Sequence, residues 1–130
     1  MNGWKETINN FARQVGAECH PMLIGAKLNK DNCFTLNNKL LVIKVSLIPK
    51  PWWGLHTKAT DKIKNENGFL VLLVSENEGW VLTGREVRDR IENESWRVAS
   101  DEVQYKIHRR DLPNQRHFSA PEEFLQALQS

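Results

Sequence analysis

A lysine in the middle of an apolar strand is the feature of this sequence that most clearly suggests chemistry. Lys44 stands between Ile43 and Val45, in a run whose β-branched residues favour a strand. A charged side chain is unfavourable in such a strand unless it has a partner or a chemical task. The surroundings of Lys44 are therefore the first place to look for a site.

The neighbouring sequence predicts which side chain faces Lys44. Asn tolerates positive φ, so Asn37 and Asn38 can form the two-residue turn of a β-hairpin. Asp31 then lies opposite Lys44 on one face of the hairpin. Two interpretations stay open: a structural pairing in which the Lys44 amine meets Asp31 or reaches the sheet edge, and a chemical role for both residues.

Apolar spacing predicts the elements that would position this hairpin. The expected segments are a helix over 4–18, a strand over 21–28, hairpin strands over 32–37 and 39–48, a basic helix over 56–66, and a strand over 69–74. The last run is apolar throughout, as in a strand buried on both faces. A helix between two strands predicts a parallel pair, and hence an α/β fold with a mixed central sheet flanked by helices.

The second half of the chain predicts shorter elements around that sheet. Residues 79–82 read as a strand, and Thr83 with Glu86 forms a capping box that opens a helix. A strand is expected over 103–107, with its place in the sheet left open. A second capping box, Ser119 with Glu122, opens the closing helix.

Composition places the chain among ordinary globular proteins. Its 130 residues, 40% of them apolar, predict a single domain over residues 1–130. No apolar run approaches the ~20 residues of a membrane span. The polar N-terminus predicts a cytoplasmic protein. Two cysteines are too few for a disulfide framework or a four-ligand zinc site, and the four histidines show no ligand spacing.

Charge is distributed unevenly along the chain. Residues 1–65 contain ten Lys or Arg and four Asp or Glu (net +6), whereas residues 66–130 contain eight and twelve (net −4). A basic half is typical of proteins that bind polyanions. The alternative is a chance skew that folding mixes over the surface.

The predicted αβββαβ order, with Val42-Ile43-Lys44 on its third strand, resembles the PD-(D/E)XK, or restriction-endonuclease-like, superfamily. Lys44 matches the family lysine, and residues 51–55 are similar to a turn before the second core helix of some members. The resemblance implies a restriction-endonuclease-like core and a Mg²⁺-dependent endonuclease acting on duplex DNA. It also implies a homodimer, because two sites are needed to cut two strands.

The family motif is incomplete in this chain. Its two carboxylates, which hold Mg²⁺, would fall at Cys33 and Val42. One interpretation is that other acids have taken over: Asp31 and Glu18 would then hold Mg²⁺, with Asp31 and Lys44 as the catalytic residues. The other is an impaired site on a surviving scaffold, which is favoured because Mg²⁺ gains little from Cys or Val.

Residues outside the motif predict contacts with a partner. Lys50, Trp52 and Trp53 are expected to contact nucleic acid by phosphate pairing and base stacking, unless the tryptophans cover the sheet edge. Lys58, Lys62 and Lys64 are expected to hold duplex phosphates.

A second basic cluster comprises His108, Arg109, Arg110 and Arg116. Nearby Asp111 and Glu122 favour a solvated, self-paired surface there rather than a phosphate site.

These features predict a DNA-binding or DNA-processing protein. Mg²⁺-dependent phosphodiester hydrolysis is expected only if other carboxylates in the folded chain take the place of the two that the motif lacks. The alternative is a non-enzymatic module on the same scaffold that binds a protein partner through Trp52 and Trp53.

Overall fold

The computed structural model describes residues 3–65, 67–93, 96–98 and 103–129. Its helices are α1 (Gly3–Val15), α2 (Thr57–Asn65), α3 (Gly84–Glu92) and α4 (Pro121–Gln129). Its strands are β1 (Glu18–Cys19), β2 (Met22–Ile24), β3 (Lys27–Asn29), β4 (Cys33–Leu36), β5 (Lys39–Val45), β6 (Trp52–His56), β7 (Phe69–Leu73), β8 (Gly79–Thr83), β9 (Arg97–Val98), β10 (Gln104–His108) and β11 (His117–Phe118). Short 3-10 helices span Arg109–Asp111 and Asn114–Arg116.

Six strands form the main sheet, in the order β1-β4-β5-β7-β8-β11. β5 and β7 pair in parallel, whereas all other neighbours are antiparallel. The chain between β5 and β7 contains α2, which supplies the crossover that a parallel pair requires. The predicted α/β class, with a mixed central sheet flanked by helices, is therefore confirmed.

The central hairpin forms as the sequence predicts. Asn37 and Asn38 have φ values of 53° and 66°, the left-handed conformation that a tight turn needs. Cys33 pairs with Val42 in the expected register. The hairpin strands are shorter than expected, because β4 begins at Cys33 and β5 ends at Val45.

Each face of the main sheet has its own apolar core. On one face, α1 and α4 pack against β5 residues Leu41 and Ile43. On the other, α2, α3 and strand β6 pack against Leu40 and Val42. All five residues of β7 are buried, which confirms a strand covered on both faces.

The segment around the two adjacent tryptophans departs from the prediction. Residues 51–55 were expected to form a turn before the second helix, but Trp52–His56 is strand β6. It pairs with β10, which pairs with β9, in a separate three-stranded sheet. The reason is alternation: Trp53 and Leu55 enter the core, and Trp52 points outward. The strand expected over 103–107 belongs to this second sheet.

A smaller correction concerns residues 21–28, which were expected to form one strand. Gly25 adopts a φ of 65° and reverses the chain, so that β2 and β3 form a separate hairpin. None of the described helices is long and apolar enough to cross a membrane.

Helix capping matches the sequence at α3 and differs at α4. The backbone N–H of Glu86 donates to Thr83 Oγ1 at 3.1 Å, and the Thr83 N–H donates to Glu86 Oε1 at 2.9 Å. At α4 the backbone N–H of Ser119 donates to Glu123 Oε1 at 2.8 Å. The sequence predicts Glu122 as the capping partner of Ser119, whereas the partner in the structure is the next residue, Glu123.

The positive φ at Asn38 gives a direct test of the turn. Asn38→Val should lower the free energy of unfolding by about 1–2 kcal/mol, because a side chain without Asn's local hydrogen bonding is strained in the left-handed region. Asn38→Gly should leave stability unchanged or raise it. Urea denaturation measures both variants, and equal stability of the two would contradict the turn geometry.

Candidate functional site

Lys44 lines a pocket at one end of the second sheet. It follows Val42 by two residues on β5, so its side chain leaves the main sheet on the α2 and β6 face. The pocket has a volume of about 380 Å³. The other residues around it are Ile24, Ala26, Lys27, Asn29, Asn32, Val42, Leu55, His56, Ala59, Val103 and Gln104.

The Lys44 amine has no hydrogen bond and no ion pair with the residues that the structure describes. Burial lowers the pKa of Lys44 below its ordinary value, and the nearby Cys33 thiol acts weakly in the opposite direction. Burial also raises the pKa of Cys33 to about 11. At neutral pH the site therefore holds an uncharged thiol beside a lysine that lacks a counter-ion.

Asp31 is not the partner of Lys44, contrary to the prediction from hairpin register. Its carboxylate lies 3.5 Å from the Lys5 ammonium on α1, and α1 packs on the opposite face of the main sheet. The hairpin pairing ends at Asn32, whose carbonyl accepts the Ile43 N–H at 2.8 Å. Asp31 lies beyond this last contact, so the register no longer controls where its side chain points.

Glu18 is also far from Lys44. It is exposed on β1 and pairs with Thr35, which pairs in turn with Leu40. Leu40 precedes Lys44 by four residues, and β1 lies two strands from β5. At ~3.4 Å per residue and ~4.8 Å per strand, the two backbone positions are about 17 Å apart.

The residues expected to bind Mg²⁺ do not fit that ion. Cys33 and Val42 do face each other where the family carboxylates would stand, but neither supplies a hard oxygen ligand. Asp31 and Glu18 each lie away from Lys44, as described above. Within the described ranges, no three His, Cys, Asp or Glu residues could jointly hold a metal ion.

A second concave surface, here called the basic groove, lies at the opposite end of the second sheet. It has a volume of about 1180 Å³ and is bounded mainly by residues 49–52, 108–110 and 112–114. Lys50, Arg109 and Arg110 supply three cations, and none of its twelve lining residues is acidic. Its complete lining is Pro49, Lys50, Pro51, Trp52, Trp80, His108, Arg109, Arg110, Leu112, Pro113, Asn114 and His117.

The two adjacent tryptophans have different environments. Trp53 is 2% exposed, and its indole N–H donates to the Leu73 carbonyl at 3.1 Å. The prediction that Trp53 contacts nucleic acid is therefore wrong, because the ring belongs to the core. Trp52 is 43% exposed on the wall of the basic groove, and the Lys106 ammonium lies 5.6 Å from its ring centroid. The Trp52 ring is thus partly exposed in the groove, where a base could stack on it.

The second basic cluster is only partly self-paired. Arg116 pairs with Glu86 at 2.8 Å, and Asp111 accepts the backbone N–H of His108 at 3.3 Å. Arg109 and Arg110 have no ion pair among the described residues and line the basic groove instead. Arg109 lies over the Trp80 ring, 5.4 Å from its centroid. The register of β6 with β10, which pairs Trp52 with His108, brings this cluster beside Lys50.

The three lysines of α2 line neither concavity. Lys58 is exposed, whereas Lys62 and Lys64 are partly buried. Lys64 lies 3.9 Å from Asp61, which offsets part of its charge. The predicted nucleic-acid residues therefore divide between two surfaces, with Lys50 and Trp52 on the basic groove and the three lysines on α2.

Comparison of the chain with protein-family models, with curated proteins and with solved structures found no match.

The unpartnered Lys44 gives a stability prediction. Lys44→Met should raise the free energy of unfolding at pH 7 by about 1 kcal/mol, since it removes a desolvated charge and keeps the chain volume. Because the pKa of Lys44 is lower in the folded than in the unfolded chain, Lys44 destabilises the fold less and less as pH rises towards 10.5. The difference in the free energy of unfolding between Lys44→Met and the wild type should therefore shrink over that range.

Urea denaturation at several pH values measures this gain. Lys30→Met, which removes the charge of an exposed lysine, is the matched control, and its free energy of unfolding should stay close to that of the wild type. A Lys44→Met variant much less stable than the wild type at pH 7 would indicate a structural role that the geometry does not show.

The two cysteines should react very differently in the folded protein. Cys19 is exposed, whereas Cys33 is 0% exposed with a pKa raised to about 11. At pH 8, iodoacetamide should modify Cys19 and spare Cys33 until the chain unfolds, because the thiolate is the reactive form. Peptide mass spectrometry locates the modification, and comparable labelling of both residues would contradict the packing of β4.

Proposed function

We propose that this chain binds DNA in the basic groove, with the backbone phosphates on Lys50, Arg109 and Arg110. The observation that carries the proposal is the make-up of the groove, which combines three cations and an exposed indole with no acidic lining residue. Cations pair with phosphates and an aromatic face stacks on bases, which is the usual combination in proteins that hold single strands.

The exposed face of Trp52 favours a strand with unpaired bases at that point. In a duplex each base is covered on both faces by its neighbours, so stacking on an indole requires an unpaired or unstacked base. The lysines of α2 form a separate cationic surface on which the phosphates of an adjoining duplex could rest. A duplex with a single-stranded tail would engage both surfaces.

Binding without metal-dependent cleavage is the form of the function that the geometry supports. A restriction-endonuclease-like core stays a proposal on the strength of the element order and of Lys44. The acids that could have completed its motif lie elsewhere: Glu18 is on the edge strand β1, and Asp31 precedes β4 and pairs with Lys5.

A protein partner is the second candidate. The sequence assigns protein binding to Trp52 and Trp53, but Trp53 is buried and only Trp52 is exposed. A different apolar pair favours this candidate: Leu23 and Leu28 face each other across the β2–β3 hairpin and are 63% and 53% exposed.

The salt dependence of binding tests the proposed function. We expect a fluorescent single-stranded oligonucleotide to bind with an affinity that falls steeply with salt. Lys50→Gln, Arg109→Gln and Arg110→Gln should each weaken binding and reduce the slope of log affinity against log salt by about 0.7. Trp52→Ala should weaken binding by about 1–3 kcal/mol with little change in that slope.

Two controls locate the binding surface. Lys30→Gln changes an exposed charge outside the groove and should leave affinity unchanged. A triple Lys58→Gln, Lys62→Gln, Lys64→Gln variant should weaken duplex binding more than single-strand binding. Loss of single-strand binding in the triple variant alone, or no salt-sensitive binding in the wild type, would overturn the proposal.

A further inference from the structure

The pocket beside Lys44 is distinct from the basic groove. His56 and Gln104 pair at one end of the β6–β10 ladder and line the Lys44 pocket, whereas Trp52 and His108 pair at the other end and line the groove. Four residues of strand separate the two ends, which is about 13 Å. The two concavities can therefore be occupied and tested independently.

The polar groups around this pocket are mostly engaged with the protein itself. Asn32 Nδ2 donates to the Ile43 carbonyl at 2.8 Å, and Asn29 Nδ2 donates to the Lys27 carbonyl at 3.3 Å. His56 Nδ1 accepts the Lys58 N–H at 3.0 Å. Neither lysine of the lining has an acceptor for its ammonium among the described residues, and Lys44, with three donors, is the less exposed of the two.

The charge of the pocket is uncompensated. Among the described residues, its lining contains Lys27, which is exposed, and the half-buried Lys44, and no Asp or Glu. A partly desolvated cation is stabilised most by an anion brought into contact with it. A bound negative group would therefore supply the partner that the described residues do not provide.

The pocket also has an apolar wall, to which Ile24, Val42 and Leu55 contribute; all three are buried core residues. A ligand that fits both features has a single anionic end and a short hydrocarbon body. Lys44, the half-buried cation, matches one negative charge; the second lysine of the lining, Lys27, is exposed, so its pairing with the second charge of a phosphate dianion would be screened by solvent.

We propose that this pocket binds a small organic acid, with the carboxylate on the Lys44 amine and the hydrocarbon part against Ile24, Val42 and Leu55. Asn32 and His56 also line the pocket and add polar groups beside the acid. The site is independent of the DNA-binding function proposed for the groove.

The test uses the full chain and a series of probes at constant ionic strength. Acetate, butyrate and hexanoate should raise the melting temperature in that order, since a ligand of the folded state stabilises it. By calorimetry, affinity should increase by up to about fourfold for each added methylene until the apolar wall is covered. Hexanamide, which has the same shape without the charge, should bind at least about tenfold more weakly than hexanoate.

Variants assign the binding to Lys44. Lys44→Met should lose the preference for hexanoate over hexanamide, and its own melting temperature shows whether it is folded. Lys27→Met, at an exposed lysine of the same lining, is the matched control and should change affinity by less than about threefold. Hexanoate binding should also weaken as pH rises and the amine loses its proton.

Three results would overturn the proposal. The first is the absence of saturable binding by any of the acids. The second is an unchanged hexanoate affinity in folded Lys44→Met. The third is tighter binding of inorganic phosphate than of hexanoate with the same dependence on Lys44, which would assign the pocket to phosphate groups instead.

Discussion

β5 occupies the centre of the main sheet, between β4 and β7, and layers of secondary structure cover both of its faces. Its side chains therefore have to be satisfied without bulk water. Leu41, Val42 and Ile43 meet this constraint by apolar packing. Lys44 meets it only in part, because its amine opens onto a pocket and has no protein partner among the described residues. The character of that pocket follows from this one unpaired group.

The second sheet turns a simple layered fold into one with two concave surfaces. β6 packs Trp53 and Leu55 into the core beside α2 and pairs with β10 along its whole length. Residues at its two ends form part of the walls of the two concavities, Trp52 in the groove and His56 in the pocket. Because a single strand pair builds both walls, the fold holds the basic groove and the Lys44 pocket at a fixed separation. The groove is lined by three cations, whereas the pocket is lined by neutral polar groups, the half-buried Lys44 and the exposed Lys27.

Local signals in the sequence predicted the local features well. The Asn37-Asn38 turn and its register, the buried run of β7 and the Thr83 capping box all depend on residues close together in the chain. The mixed sheet followed from the same signals, because a helix between two strands implies a parallel pair.

The same local signals could not predict contacts between segments that are distant in the chain. β6 and β10 are more than 40 residues apart, and Pro51 and Gly54 made β6 look like a turn. Without that pairing, the sequence does not show that the segments around Lys50 and Arg109 meet in one groove. It therefore predicts that Arg109 and Arg110 belong to a self-paired surface. The predicted contact between Asp31 and Lys44 is wrong for a different reason. Its register was extrapolated past the last hydrogen bond of the hairpin, where α1 rather than β5 determines its contact.

The central claim is that a DNA strand lies in the basic groove with a base on Trp52, and photo-crosslinking tests it most directly. A single-stranded oligonucleotide containing 5-iododeoxyuridine, irradiated in complex with the full chain, forms covalent adducts with aromatic side chains in contact with the base. Mass spectrometry of the digested complex should place the adduct on Trp52, and unlabelled oligonucleotide should compete it away. Adducts confined to other parts of the chain, with Trp52 unmodified in a saturated complex, would contradict the account.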